Sequence, residues 1–137
     1  MNRFQDLSAA FARRFDERHF PDQPSGLYDA ATYILKLGGK RIRPVLCLMG
    51  NELFTEIHPD AWTVAKGIEL FHNFTLIHDD IMDRAPLRRG KPTVHSVFNE
   101  SSALLAGDVM LLKAYEYFIS TAPGRVRQLI GLLNETG

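Results

Sequence analysis

The segment PDAWTVAKGIELFHNFTLIHDDIMD, residues 59–83, decides the fold of this chain. Pro59 and Asp60 suit the start of a helix, and the apolar run behind them predicts one long helix that ends near Asp83. The same segment places three carboxylates within its last five positions. The predicted helix therefore carries an acidic group at its C-terminal end.

Turn-forming residues divide the rest of the chain into further helices. Glycine ends the second helix at Gly38-Gly39, and proline suits the first turn of the third helix at Pro44. Prolines and a glycine predict a loop over residues 84–94. No alternating strand pattern is present, so the expected fold class is all-α. The predicted helices cover about residues 2–19, 27–35, 44–54, 59–83, 101–120 and 124–136.

Composition narrows the class of protein. The chain has 137 residues, enough for one domain, and a formal net charge of zero. Zero net charge argues against a general nucleic-acid binder, so any phosphate recognition has to be local. The single cysteine, Cys47, indicates no disulfide framework. The N-terminal segment has scattered charges instead of the apolar core of a signal peptide, and no apolar run is long enough for a membrane span, so a cytoplasmic location is expected by default.

Asp79, Asp80 and Asp83 form the acidic cluster at the predicted end of the long helix. Asp79 and Asp83 are four residues apart and lie on one face, where their charges repel each other and oppose the helix dipole. Such hard oxygen ligands suit Mg²⁺, which keeps its other positions for water and substrate phosphate. We interpret the three aspartates as metal ligands, against the alternative of a solvated acidic helix end capped by Arg84.

A first basic group follows the acidic cluster. Arg88, Arg89 and Lys91 lie in the predicted loop, and arginine offers a planar fork that matches phosphate oxygens. This group predicts a phosphate site beside the metal site. Taken alone, it also fits a solvated basic loop that pairs with the aspartates.

A second basic group lies at the predicted start of the third helix. Lys40, Arg41 and Arg43 belong to GGKRIRP, residues 38–44. Cations at a helix N-terminus are unfavourably placed unless an anion is held there as well. Lys40 and Arg43 therefore predict a second phosphate site, separate from the metal site.

Two histidines accompany the acidic cluster. His72 lies seven residues before Asp79, on nearly the same line of the helix, and we weigh a role as ligand against a structural role in the core. His78 is about 100° round the helix from Asp79 and is interpreted as structural.

Three motifs follow one another along the chain: GGKRIRP at residues 38–44, FHNFTLIHDDIMD at 71–83 and RRGKPT at 88–93. Together with LLAGDVML at 104–111, they resemble the N-terminal half of a trans-isoprenyl diphosphate synthase of the polyprenyl synthetase family, which includes farnesyl and geranylgeranyl diphosphate synthases. The resemblance implies a helical bundle of the isoprenoid synthase type. Residues 1–137 would be the N-terminal part of its single domain, truncated to about its first six helices.

The resemblance also implies a reaction. In Mg²⁺-dependent prenyl transfer, an allylic diphosphate ionises and isopentenyl diphosphate adds to the resulting carbocation. The implied catalytic group consists of the metal ligands Asp79, Asp80 and Asp83 and of Arg88, which would hold the allylic diphosphate. The residues implied for isopentenyl diphosphate are Lys40, Arg43, His72 and Arg89. The implied assembly is a homodimer.

Product length is implied by the residues before the first aspartate. In the family, the residues four and five positions before that aspartate help to form the floor of the chain cavity, and here they are Thr75 and Phe74. An aromatic residue at the second position implies a short product of C15 to C20. On an ideal helix, Phe74 is about 140° from Asp79 and Phe71 about 80°, so Phe71 is an alternative floor. Simple core packing is a further alternative for both phenylalanines.

One family feature is missing. The family carries a second aspartate-rich motif far beyond the first, and no second DDxxD occurs here. Asp108 resembles a separate family position inside a helix and does not replace that motif. We therefore expect a truncated chain that cannot turn over substrate alone.

Three other functions stay open on the sequence. A class I terpene cyclase also uses DDxxD, but it has no isopentenyl diphosphate for a second basic group to hold. A non-catalytic helical partner or regulatory subunit of a full synthase would be free to lose the metal carboxylates, and this chain keeps all three. A plain helical interaction domain would make the motifs a coincidence.

Overall fold

The computed structural model describes residues 2–17 and 19–136, and this part of the chain is almost wholly helical, as the all-α prediction requires. No helix within it is long and apolar enough to cross a membrane. The elements are α1 (Arg3–Phe15), α2 (Ser25–Lys36), α3 (Ile42–Glu52), α4 (Pro59–Asp83), β1 (Leu87–Arg88), β2 (Lys91–Pro92), α5 (Val94–Val97), α6 (Glu100–Ile119) and α7 (Pro123–Thr136).

Three predictions about the elements are wrong in detail. The first helix ends at Phe15 instead of near residue 19, because the backbone of Asp16 leaves helical geometry with a ψ of 63°. The predicted loop over residues 84–94 contains an antiparallel hairpin formed by β1 and β2. Within the described residues, α5 is a short helix beyond the six that were predicted. The bounds of α4, in contrast, are the predicted ones.

The chain forms two compact units. The first contains residues 2–17, 41–69 and 113–136, and the second contains residues 19–40 and 70–112. The acidic cluster, the hairpin and Lys40 belong to the second unit. Arg43 belongs to the first unit.

In the first unit, α1 packs on α3, and the side chain of Arg41 is largely buried. The backbone of Arg41 has a φ of 55°, and its guanidinium lies 3.1 Å from the carboxylate of Glu69, with only 13% and 4% of the two side chains exposed. The same guanidinium lies 5.1 Å from the ring centre of Phe15. Because a charge buried this deeply needs its partner, Arg41 is a structural residue of the GGKRIRP motif.

In the second unit, buried apolar residues of α2, α4, α5 and α6 form the core. α2 contacts α5, and the backbone leaves α2 at Gly38, whose φ of 73° is the left-handed geometry that commonly ends helices. The core residues on these helices are Ala30, Ala31, Ile34, Leu70, Ile77, Val94, Ala103, Ala106 and Met110. This core fixes the C-terminal part of α4, which carries the acidic cluster.

Candidate functional site

Within the second unit, α4 presents three chemically different faces, each about 60–80° wide on an ideal helix. The first face is fully buried and consists of Leu70, Asn73, Ile77 and Asp80. The second is aromatic and half-buried and consists of Phe71, Phe74 and His78. The third holds the remaining predicted site residues and consists of His72, Thr75, Asp79 and Asp83. The two aspartates of the third face are exposed.

Asp80 lies on the buried face and binds Arg88. Its two carboxylate oxygens accept hydrogen bonds from Nε and Nη2 of Arg88 at 2.7 and 2.8 Å. Only 7% of the Asp80 side chain and 23% of the Arg88 side chain are exposed. The hydrogen bond to Asp80 raises the pKa of Arg88 and outweighs the opposing effect of burial. In the described part of the chain, the cation that pairs with the acidic cluster is therefore Arg88, and Arg84 forms no such pair.

A sharp backbone turn ends α4 and leads into the hairpin. The N–H of Arg84 donates to the carbonyl of Ile81 at 3.2 Å, and the N–H of Ala85 donates to the carbonyl of Asp80 at 3.0 Å, which is the Schellman pattern. Arg84 has a φ of 53°. Glycine is usual at this position because left-handed geometry costs other residues about 1–2 kcal/mol.

The hairpin uses a second left-handed arginine. Arg89 and Gly90 join β1 to β2 with φ angles of 53° and 74°, the positive values that a two-residue type I′ turn requires. Asparagine or glycine is favoured at the first of these positions. At the base of the hairpin, the hydroxyl of Thr93 donates to the carbonyl of Ala85 at 2.9 Å. The hairpin is thus closed at its base while its turn presents Arg89.

Arg89 contacts the glycine pair of GGKRIRP. Its Nη1 donates to the carbonyl of Gly38, and a Cβ added at Gly39 would lie 3.0 Å from its Nη2. The hydroxyl of Tyr33 on α2 donates to the carbonyl of Pro92 at 2.7 Å and adds a second contact to the hairpin. The structure therefore brings RRGKPT against the start of GGKRIRP, where Lys40 is exposed.

The other two predicted diphosphate ligands, Arg43 and His72, belong to different units. Arg43 is an exposed residue of α3 in the first unit. His72 is half-buried on the third face of α4, and its carbonyl accepts a hydrogen bond from the hydroxyl of Thr75 at 2.6 Å. Their roles as ligands stay predictions.

The two candidates for the cavity floor touch each other. The rings of Phe71 and Phe74 are 5.5 Å apart between centres and inclined by 66°. Phe74 also contacts the ring of His78 at 4.8 Å. The floor assignment stays a prediction for Phe71, Phe74 and Thr75, because packing among aromatic rings alone also accounts for the two phenylalanines.

Asp79 and Asp83 are the donors that fit a metal. Among residues 2–17 and 19–136, no three His, Cys, Asp or Glu side chains are grouped closely enough to hold a metal ion by themselves. Mg²⁺ does not require such a group, because it commonly takes one or two carboxylates and completes its shell with water and phosphate oxygens. Since Asp80 is held by Arg88, the exposed pair on the third face fits this pattern.

Sequence reasoning missed the surroundings of His78. Its Nε2 lies 3.1 Å from the carbonyl oxygen of Leu104 on α6. It also lies close to Gly107, in the LLAGDVML segment. A glycine inside an otherwise apolar helical segment was the available signal, because it often marks a close approach of another group.

Comparison with known proteins relates most of the chain to one family. Residues 24–136 match the model of a family described as "Polyprenyl synthetase". A geranylgeranyl pyrophosphate synthase of Geoglobus acetivorans is 43% identical over 120 residues, which cover 87% of this chain and 38% of that protein. A geranylgeranyl diphosphate synthase of Methanosarcina mazei is 39% identical over 137 residues, which cover 98% of this chain and 41% of that protein.

The fold agrees with this relation. A crystal structure of a geranylgeranyl pyrophosphate synthase matches with a TM-score of 0.93 and 43% identity, over 99% of this chain and 42% of that one. This chain therefore spans about two fifths of the length of these proteins.

The first prediction from this site separates Asp80 from Asp83. Asp80→Asn should lower the free energy of unfolding by about 2 kcal/mol or more, because a largely buried Arg88 loses its charged partner. Asp83→Asn should change it by less than about 0.5 kcal/mol, because that carboxylate is exposed at a helix end that disfavours negative charge. Urea unfolding followed by circular dichroism measures both. Equal losses in the two variants would contradict this division of roles.

The second prediction concerns Gly39. Gly39→Ala should displace the guanidinium of Arg89 and weaken the binding of inorganic pyrophosphate by about tenfold, the loss of about one charge-assisted hydrogen bond. Gly26→Ala, in the first turn of α2, is the matched control because nothing lies within 4 Å of a Cβ there. Titration calorimetry without metal measures both. Unchanged binding by Gly39→Ala would show that Arg89 does not hold the anion.

Proposed function

This chain belongs to the polyprenyl synthetase family, and on that premise we propose that it is the diphosphate-binding part of a short-chain prenyltransferase. The protein would join isopentenyl diphosphate to an allylic diphosphate and lengthen the prenyl chain by one C5 unit. The observation that carries the proposal is the contact of Arg89 with Gly38 and Gly39. Through it, the hairpin turn of RRGKPT touches the first two residues of GGKRIRP, and the neighbouring Arg88 pairs with Asp80 at the end of α4.

The allylic diphosphate is assigned to the third face of α4 and to Arg88. Two N–H groups of Arg88 are held by Asp80, and the others are available to a diphosphate. Asp79 and Asp83 would hold Mg²⁺, which supplies positive charge that stabilises the leaving diphosphate when bound. As the allylic C–O bond breaks, its electron pair leaves with the diphosphate, and Arg88 donates hydrogen bonds to that growing charge. Asp80 orients Arg88 for this role and would support the metal only indirectly.

Isopentenyl diphosphate is assigned to Lys40 of the second basic group together with Arg89 of the first. Two residues next to Gly39 support this assignment. The guanidinium of Arg89 lies beside Gly39, and Lys40 follows it in the chain. Arg43 and His72 are added by the family resemblance. The double bond of isopentenyl diphosphate then attacks the carbocation, a C–C bond forms, and loss of one proton completes the product. For this reaction the side chains have to hold the two diphosphates next to each other, and no nucleophilic side chain is needed.

The finer properties expected from the sequence belong to the same proposal. The chain is the N-terminal part of a single isoprenoid synthase domain, it does not turn over substrate alone, and the complete protein is a cytoplasmic homodimer. A product of C15 to C20 follows if Phe74 or Phe71 forms the cavity floor. Two relatives, which match 87% and 98% of this chain, are geranylgeranyl diphosphate synthases by name, and these two support the upper end of that range.

A chimera tests the proposal. This chain replaces the matched 41% of the Methanosarcina mazei synthase, and the chimera receives Mg²⁺, isopentenyl diphosphate and C5 to C15 allylic diphosphates. Mass spectrometry should detect a short prenyl diphosphate from the chimera and none from this chain alone. Asp79→Asn and Asp83→Asn should each slow product formation by about 100-fold or more. Asp29→Asn, which removes an exposed carboxylate of α2, should leave the rate unchanged.

Other outcomes of the same experiment identify the rivals. A folded chimera without product would support the regulatory-subunit alternative. A hydrocarbon product that forms without isopentenyl diphosphate would support a class I terpene cyclase.

A further inference from the structure

His78 occupies a notch in α6 that exists because residue 107 is glycine. Its Nε2 lies 3.1 Å from the carbonyl oxygen of Leu104, and a Cβ added at Gly107 would lie 2.5 Å from the same nitrogen. Because a carbonyl oxygen only accepts hydrogen bonds, Nε2 carries the hydrogen and donates it. Any larger residue at position 107 would push the imidazole out of this seat.

His78 has two further neighbours in this seat, Asp108 and Phe74. The carboxylate of Asp108 lies 3.6 Å from Nε2, and the ring of Phe74 meets the imidazole edge-on at 4.8 Å. A glycine in a helix interior costs about 1 kcal/mol relative to alanine. The close approach of His78 gives a physical reason for Gly107 in spite of that cost.

The position of His78 on α4 relates this seat to the acidic cluster. On an ideal helix, His78 and Asp80 lie about 100° to either side of Asp79. Asp80 is held by Arg88 on one side, and His78 is held by α6 on the other. The last turns of α4 are thus fixed at both edges of the face that carries Asp79 and Asp83.

From this geometry we infer that His78 is a positioning residue, which sets the placement of Asp79 and Asp83 by holding α4 against α6. The inference rests on the proposed function and adds a residue to which that function assigned no role. His78 itself touches neither metal nor diphosphate. Its effect is that of an outer group that orients a ligand, and loss of such a group typically weakens metal binding by about 10–100-fold.

Mn²⁺ binding in the presence of inorganic pyrophosphate tests the inference, with free Mn²⁺ measured by electron paramagnetic resonance. His78→Ala and Gly107→Ala should each weaken Mn²⁺ binding by about tenfold. The double variant should bind no more weakly than either single variant, because both changes remove the same contact. Additive losses in the double variant would contradict a shared contact.

Two polar replacements separate positioning from a general structural role. His78→Gln keeps an N–H donor at nearly the reach of Nε2 and should bind Mn²⁺ within about threefold of the wild type. His78→Asn is one carbon shorter, leaves the carbonyl of Leu104 unpaired, and should bind about tenfold more weakly. These two variants decide the question even if His78→Ala does not fold, and a thermal melt of each records its stability.

The outcomes distinguish the inference from the proposed function. If the wild-type chain binds Mn²⁺ and the glutamine and asparagine variants bind it equally well, the inference is wrong and the proposed function stands. If the wild-type chain binds no Mn²⁺ with pyrophosphate, the proposed function fails and the inference fails with it.

Discussion

The bidentate ion pair between Asp80 and Arg88 is the contact on which the candidate site depends. It joins the last turn of α4 to the first strand of the hairpin with two hydrogen bonds, at 2.7 and 2.8 Å, in a largely buried setting. A buried charge without its partner is strongly destabilising, so the pair holds both elements in one arrangement. That arrangement also supports left-handed backbone at Arg84 and Arg89, where glycine or asparagine would be less strained.

The ion pair also explains why the three aspartates of the acidic cluster have different roles. The carboxylate of Asp80 is paired with Arg88. The carboxylates of Asp79 and Asp83 are exposed at the C-terminal end of α4, where the helix dipole disfavours negative charge. Strained backbone and repelling charges of this kind persist where function requires them and the surrounding structure compensates. Here the compensation comes from the hairpin on one side of α4 and from the seat of His78 on the other. A metal-bound diphosphate would complete the neutralisation.

Local signals were enough to predict much of the fold from the sequence. Pro59 and the long apolar run predict α4, and Gly38 predicts where the chain leaves α2. These predictions succeed because each signal acts within a few residues along the chain. The hairpin was missed because strands of two residues have no periodicity. The burial of the Arg41 side chain was not predicted either, since its partner Glu69 lies 28 positions further along the chain. The pairing of Asp80 with Arg88 likewise depends on a turn that the loop prediction did not contain.

A crystal structure of this chain grown with Mg²⁺ and inorganic pyrophosphate tests the central claim most directly. We expect Mg²⁺ bound by carboxylate oxygens of Asp79 and Asp83, with pyrophosphate on its open positions and Asp80 still paired with Arg88. A metal ion bound by Asp80 with the pair to Arg88 broken would contradict this account. Pyrophosphate bound far from the end of α4 would contradict it as well.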